Sequence, residues 1–261
     1  MYFSIIINTH EQPDKIKRCI QSCLNQSFNK KYEILIIDTS RNKIDKNSEL
    51  LKSKKIMYQH CKIFSKYPEI NQLNKIAIGV KKSRGKWICL LDGDDFFNKN
   101  KLNFIYKNHN LNDKLIIQDN YSYFNEDKKK YLYKKSKQYK NNFLFKKLFS
   151  IWPIIYGTSS ISGNKRLFNS FFKKVSLTKW NFIAIDALIV LYSLNKNLLI
   201  NSKELLTFKS IGHNNLSSKY TFFSKKYWKR RYQQIKYWEF LTNKKIFNLD
   251  KFISHLINSI F

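Results

Sequence analysis

Residues 74–95 read NKIAIGVKKSRGKWICLLDGDD, and two patterns and an acidic cluster follow one another within them. Apolar residues from Ile70 recur at helical spacing as far as Ser83, and Gly85 closes that stretch. Trp87-Ile88-Cys89-Leu90-Leu91 is then an unbroken apolar run, the pattern of a strand covered on both faces. Asp92, Asp94 and Asp95 follow at once, three carboxylates within four residues. Like charges so crowded cost energy unless a cation compensates them. Hard oxygen donors at a strand end suit Mg²⁺ or Mn²⁺, ions that such sites share with substrate phosphates. The competing structural reading is an Asp-rich turn ahead of a helix starting near Asn100.

Outward from this segment the same alternation repeats. Phe3 to Asn8 forms an apolar run that leads to Thr9, and a helical pattern follows from Pro13 through Ile16, Cys19, Ile20, Cys23 and Leu24. Pro13 suits a first helical turn, where its missing N–H costs nothing. Ile34-Leu35-Ile36-Ile37 ends in Asp38, a helix-compatible stretch lies near 45–53, and a short strand is expected over 56–62. Alternating strands and helices predict an α/β chain, with a mostly parallel sheet flanked by helices and right-handed crossovers. Ligands of such sheets bind beyond the carboxyl ends of the strands, and Thr9, Asp38 and the 92–95 cluster all fall there.

The missing motifs are also informative. There is no G-x-x-x-x-G-K-[ST] loop and no G-x-G-x-x-G, so phosphate must be met by a metal or by cationic side chains. Neither a G-x-S-x-G elbow nor an H-E-x-x-H helix occurs.

Taken together, the residues resemble a family 2 glycosyltransferase of the GT-A fold, a Rossmann-like sheet with a D-x-D segment. Residues 4–9 are similar to that family's opening strand, 32–38 to its second strand and 74–95 to its helix, strand and D-x-D. The likeness is close over 3–110 and fainter through 159–168, Asp186 and 212–217. It implies that Thr9 helps to hold the nucleotide base, that Asp38 sits at the nucleoside, and that Asp92 lies near ribose and diphosphate. Asp94, with Asp92 and His213, would bind Mn²⁺ or Mg²⁺, and Asp95 would support them from behind. Asp186 would be the general base, because an unpaired carboxylate is costly to bury within an apolar stretch such as 180–189. His213 also reads as an ordinary loop residue and Asp186 as a helix cap.

The chain departs from the family pattern at three places. Asp38-Thr39-Ser40 stands where two acids and Gly-Ser are common, Gln72-Leu73-Asn74 where Ala-Arg-Asn is common, and Ile185 where an acid usually precedes the base. Lys75 and Arg84 are the cations that would restore a positive contact to the nucleotide.

With 261 residues, 43% hydrophobic and 16% aromatic, the chain is long enough for a real core and is not globally disordered, in spite of a net charge of +31. The resemblance divides it into a GT-A domain over 1–215, with a nucleotide-sugar half (1–110) and an acceptor half (111–215), and a basic helical region over 216–261. The positive charge comes from 43 Lys and only six Arg. Base readers favour the bidentate Arg fork, so no specific nucleic-acid partner is expected. Cys19, Cys23, Cys61 and Cys89 read as reduced thiols rather than a disulfide or zinc framework. With no leader sequence and no apolar run of about 18 residues, a cytoplasmic protein is expected. Residues 126–147 carry nine Lys and read as a solvated loop and helix face. Residues 219–245 read as a basic amphipathic helix that either covers the core or lies on an anionic membrane with Trp228 and Trp238 at the headgroups.

The reading is therefore an inverting, metal-dependent transfer from a nucleotide-diphosphate sugar to a glycan or lipid-linked acceptor, in bacterial surface-polysaccharide synthesis. Its rivals are a binding module that keeps the fold without turnover and, further off, a basic nucleic-acid-binding protein.

Overall fold

The computed structural model describes residues 1–45, 48–132, 153–211 and 224–260. Its frame is a mixed sheet with the order β3-β2-β1-β4-β8-β6-β9-β5, and β7 pairs with β6. The first four of these, β1 (Phe3–Thr9), β2 (Tyr32–Asp38), β3 (Ile56–His60) and β4 (Trp87–Asp92), are mutually parallel. β1, β2 and β4 are buried along almost their whole length, which is why they lack polar alternation. The helices α1 (Pro13–Leu24) and α2 (Pro68–Lys82) provide crossovers, each with proline in its first turn.

Beyond β4 the sheet turns antiparallel. β8 (Ile161–Asn164) runs against both β4 and β6 (Ile116–Asn125). β9 (Leu199–Ile211) then pairs in parallel with β6 and in antiparallel with the two-residue β5 (Phe96–Phe97). β7 (Lys130–Leu132) completes a hairpin with β6. The sheet is therefore continuous across residue 110, and the two halves of the chain share it.

Each face of the sheet carries a core. One contains Phe3, Ile5, Cys19, Cys23, Trp87 and Leu91, together with Leu102 and Ile105 of α3 (Lys101–Asn108). The other packs α2 against α4 (Lys165–Lys174) and α5 (Ile185–Asn195), through Leu73, Ile76, Phe168, Phe171, Leu188 and Leu191. The α6 helix (Lys225–Thr242) joins this second core through Tyr237 and Leu241, and Tyr237 OH donates to the Leu188 carbonyl at 3.0 Å. A last helix, α7 (Leu249–Ile260), packs on α6.

Two expectations change. Among the described residues near 45–53 the regular structure is a 3₁₀ turn at Glu49–Leu51, where Leu50 and Leu51 alone give little apolar face for a longer helix. The helix expected over 219–245 spans Lys225–Thr242, and Trp238 packs against the second core. Its apolar side therefore covers the domain. None of the described helices is long and apolar enough to cross a membrane.

Candidate functional site

Register alone puts polar groups at one rim. Thr9 pairs with Asp38 across β1 and β2, and Asn8 with Asp92 across β1 and β4, so three adjacent strand ends lie about 4.8 Å apart from one to the next. At the β2 end, Asp38 is buried and accepts from Ser40 N at 2.8 Å, from Ser40 Oγ at 2.6 Å and, on its other oxygen, from Tyr58 OH at 2.9 Å. Burial and the bond to Asp38 push the Tyr58 hydroxyl up to about 12, so it stays a donor. Lys75 enters from α2 beneath the rim, where its ammonium donates to the Thr9 carbonyl at 2.8 Å.

Burial lowers Lys75 to about 8, against the attraction of Asp92 and Asp38. An ordinary lysine titrates near 10.4, so the fold carries a cost for its charge that is present below about pH 8 and relieved as pH rises towards 10. Lys75→Met is therefore expected to remove a gain in stability of about 2–3 kcal/mol that the wild type shows over that interval, measured as the difference between the two urea-denaturation series.

At the β4 end, Asp92 Oδ1 accepts from Asn8 Nδ2 at 2.6 Å and from Gln72 Nε2 at 2.8 Å. Burial, then the charge of Asp94, raise Asp92 to about 6, and Asp186 adds to the same effect. Asp95 points inward. It accepts from Ser159 Oγ at 2.6 Å and from Ser210 N at 2.9 Å, and burial followed by Asp94 and Asp92 pushes it up to about 8. Asp94 is raised as well, by burial, although Lys15 opposes this.

The D-x-D turn is fastened from both sides. Ser159 Oγ accepts from Asp92 N at 3.0 Å while donating to Asp95. Arg18, sandwiched between the Phe96 and Phe124 rings at 4.5 and 4.6 Å, pairs with Glu126 and donates to the Asp94 carbonyl at 3.3 Å, and Ser210 Oγ donates to that carbonyl too. Below it lies a buried ion pair, Lys101 Nζ to Asp119 Oδ2 at 2.7 Å, whose ammonium also donates to the Ser159 carbonyl at 2.8 Å and to Thr207 Oγ1 at 3.0 Å.

This donor set fits a divalent cation. Asp95 has both oxygens engaged, so Asp94 and the second oxygen of Asp92 are the hard donors facing the rim. Among the described residues no three His, Cys, Asp or Glu side chains surround one point, so a cation held by Asp92 and Asp94 would need further ligands from elsewhere. His213 lies outside the described residues.

Asp186 occupies the first turn of α5, half-buried, with Oδ1 accepting from Ala187 N at 2.7 Å. Its Oδ2 lies beside Gly157, and the next residue, Thr158, shares the Gln72 amide with Asp92. A Cβ built on Gly157 would collide with the Lys209 ammonium end and come within 3.7 Å of Asp186 Oδ2. Gly157 has φ +92°, a region open to glycine at little cost. Gly157→Ala is thus expected to cost about 1–3 kcal/mol and to displace Lys209, with a lower melting temperature as the readout.

Arg84 is not brought to the site. It lies at the amino end of β4, one strand length from Asp92, where its Nε donates to Glu33 Oε2 at 2.8 Å. A residue three positions ahead of a parallel strand belongs to the opposite edge of the sheet from that strand's carboxyl end. Sequence reading missed Asn8, Gln72, Ser159 and Ser210, which hold the carboxylates, and Lys209, which stacks 4.4 Å over Tyr121. Asn8, Gln72 and Ser159 lay inside stretches compared with the family, 4–9, 72–74 and 159–168, but nothing in the sequence marked their roles.

Residues 4–171 match the profile of glycosyl transferase family 2. The chain belongs to this family. A Haemophilus influenzae protein described as an uncharacterized glycosyltransferase is 33% identical over 112 residues, 41% of this chain and 43% of the relative. One from Rickettsia bellii, with the same description, is 31% identical over 169 residues, 63% of this chain and 23% of the relative. The matched regions thus span less than half of either relative. Among solved structures, S. aureus TarS 1-349 in complex with UDP superposes with a TM-score of 0.59 at 14% identity, covering 100% of this chain and 70% of that one. At that identity the likeness shows the fold, that of GT-A glycosyltransferases.

Proposed function

We propose that the protein transfers a sugar from a nucleotide-diphosphate sugar to a hydroxyl of a glycan or lipid-linked acceptor, inverting the anomeric centre. The observation that carries this reading is the convergence on one rim of the Thr9–Asp38 strand ends and the Asp92–Asp94 pair, with Asp186 beside Gly157. Thr9 and Asp38 would receive the nucleoside, and Asp92 would face ribose and diphosphate. Asp94 and Asp92, with His213, would hold Mn²⁺ or Mg²⁺, which when bound neutralises charge on the departing diphosphate.

Asp186 would take the acceptor proton as that oxygen attacks from the face opposite the leaving group. Lys209 adds a cation beside Asp186, and Tyr121, stacked edge-on with Tyr156 at 5.9 Å, gives the acceptor side an aromatic wall. In this reading residues 1–110 serve the donor and 111–215 the acceptor.

The TarS structures with UDP and with UDP-GlcNAc support a nucleotide-sugar donor. A relative from Erwinia amylovora, described as the amylovoran biosynthesis glycosyltransferase AmsB, is 24% identical over 100 residues, 38% of this chain and 33% of the relative, and supports a polysaccharide setting. The test is release of nucleoside diphosphate from UDP-, GDP-, CDP- and dTDP-sugars with Mn²⁺. Release from one of them, abolished by Asp94→Asn, is expected; no release from any, with or without acceptor extract, would favour a module without turnover.

A further inference from the structure

The α7 helix faces the wrong way for one that serves only its own core. The two positions it buries fully are polar, Asp250 against Arg231, whose Nε donates to Oδ1 at 3.0 Å, and Ser254, with Ile253 and Ile257 half-buried on the same face. Leu249, Phe252, Leu256 and Ile260 follow at intervals of three, four and four residues, so they share one face, and that face is exposed. Phe252 and Ile260 are 64% and 66% accessible, and Phe247, just before the helix, is 86% accessible. Large apolar side chains placed together in water on one stripe mark a surface that meets another apolar phase.

The surrounding charge says which phase. Of the acids in 224–260, Glu239 is engaged by Lys251 at 2.7 Å and Lys236 at 3.5 Å, and Asp250 by Arg231. Lys244 and Lys245 are exposed in the turn before Phe247, and Lys251 Nζ lies 5.4 Å from the centre of the Phe247 ring. Two copies meeting through this stripe would bring these lysines together, in a chain whose net charge is +31. An anionic surface has the opposite effect. Twelve residues of helix span about 18 Å, well short of the hydrocarbon thickness of about 30 Å, so the helix would lie in the interface plane.

We propose that the outward stripe of α7, with Phe247, docks this protein on an anionic lipid surface, where Lys244 and Lys245 meet the headgroups. The lipid-facing element is thus α7, whereas α6 covers the core. The inference stands independently of the sugar-transfer reading.

The test is flotation of the full chain with vesicles of phosphatidylcholine alone and of phosphatidylcholine mixed with phosphatidylglycerol. Wild type is expected to float with the mixed vesicles, less so at high salt. Phe252→Ser with Leu256→Ser should lower the partition at least about tenfold, and Lys244→Glu with Lys245→Glu should lower it too. Melting curves of these variants should match wild type, and if the serine pair melts early, Phe247→Ser, outside the helix, must weaken flotation instead. Failure of wild type to float at low salt would overturn the proposal. So would undiminished flotation of the serine variants, the sign of mere charge attraction, or a dimer that those substitutions dissolve without any vesicle binding. Flotation that persists in Asp94→Asn would separate this outcome from any failure of the transferase reading.

Discussion

Asp186→Asn is expected to lower turnover by about 10²–10⁴-fold, the usual contribution of a positioned general base. The substitution keeps size and leaves the amide oxygen able to accept from Ala187 N, as Asp186 Oδ1 does at 2.7 Å. The bond to Ala187 N in the first turn of α5 should therefore persist and the fold stay intact. In the proposed role, what would disappear is the capacity to accept the acceptor proton in the transition state. An interaction made only there lowers kcat with little change in the KM for donor. The carboxylate is also a charge that helps to raise Asp92, so donor-side groups should sense its loss only weakly. A steady-state comparison with saturating donor checks this, and wild-type turnover in Asp186→Asn would exclude the residue as the base and leave it a helix-terminal anion.

The second large effect is on stability. Lys101→Met should cost about 3–5 kcal/mol, because Lys101 and Asp119 are fully buried and removal of one partner strands the other charge. Burial already raises Asp119, with Lys101 as the main opposing influence. For a chain of this size the loss amounts to about 6–20 °C in melting temperature. The paired change Lys101→Met with Asp119→Leu should recover much of it, since an apolar pair of similar volume leaves no uncompensated charge. The rescue has a functional limit. Lys101 also holds the Ser159 carbonyl, and the Ser159 hydroxyl links Asp92 N to Asp95, so the double variant should fold well yet bind donor less tightly. Equal melting of Lys101→Met and wild type would contradict the account of this pair.

The strands that carry the rim were legible because burial on both faces wrote them as continuous apolar runs ending in Thr9, Asp38 and Asp92. Parallel register then made neighbours of residues up to 84 positions apart. The second half was less legible. β8 has the sequence Ile-Ser-Gly-Asn and α4 follows it at once, so neither offers a run long enough to show its period. β9 is irregular opposite Gln118–Tyr121, where its residues 201–207 face only four positions of β6, and the extra residues disturb its alternation. The groups that hold the carboxylates, Asn8, Gln72, Ser159 and Ser210, are common polar residues whose role comes only from tertiary placement. Arg84 shows the reverse error, since closeness in sequence to the D-x-D segment put it at the wrong end of the strand. The α7 stripe went unread in the sequence, and which way it faces follows from Asp250 reaching Arg231.

The most direct test of the central claim is the melting temperature of the purified protein with UDP, GDP, CDP or dTDP, each with and without Mn²⁺, beside Asp94→Asn. A ligand that binds only the native state raises that temperature, by about 2.7 kcal/mol of stabilisation at a hundredfold excess over Kd. The account predicts a metal-dependent rise for one nucleotide that Asp94→Asn abolishes. No rise with any nucleotide, or an undiminished rise in the variant, would contradict it.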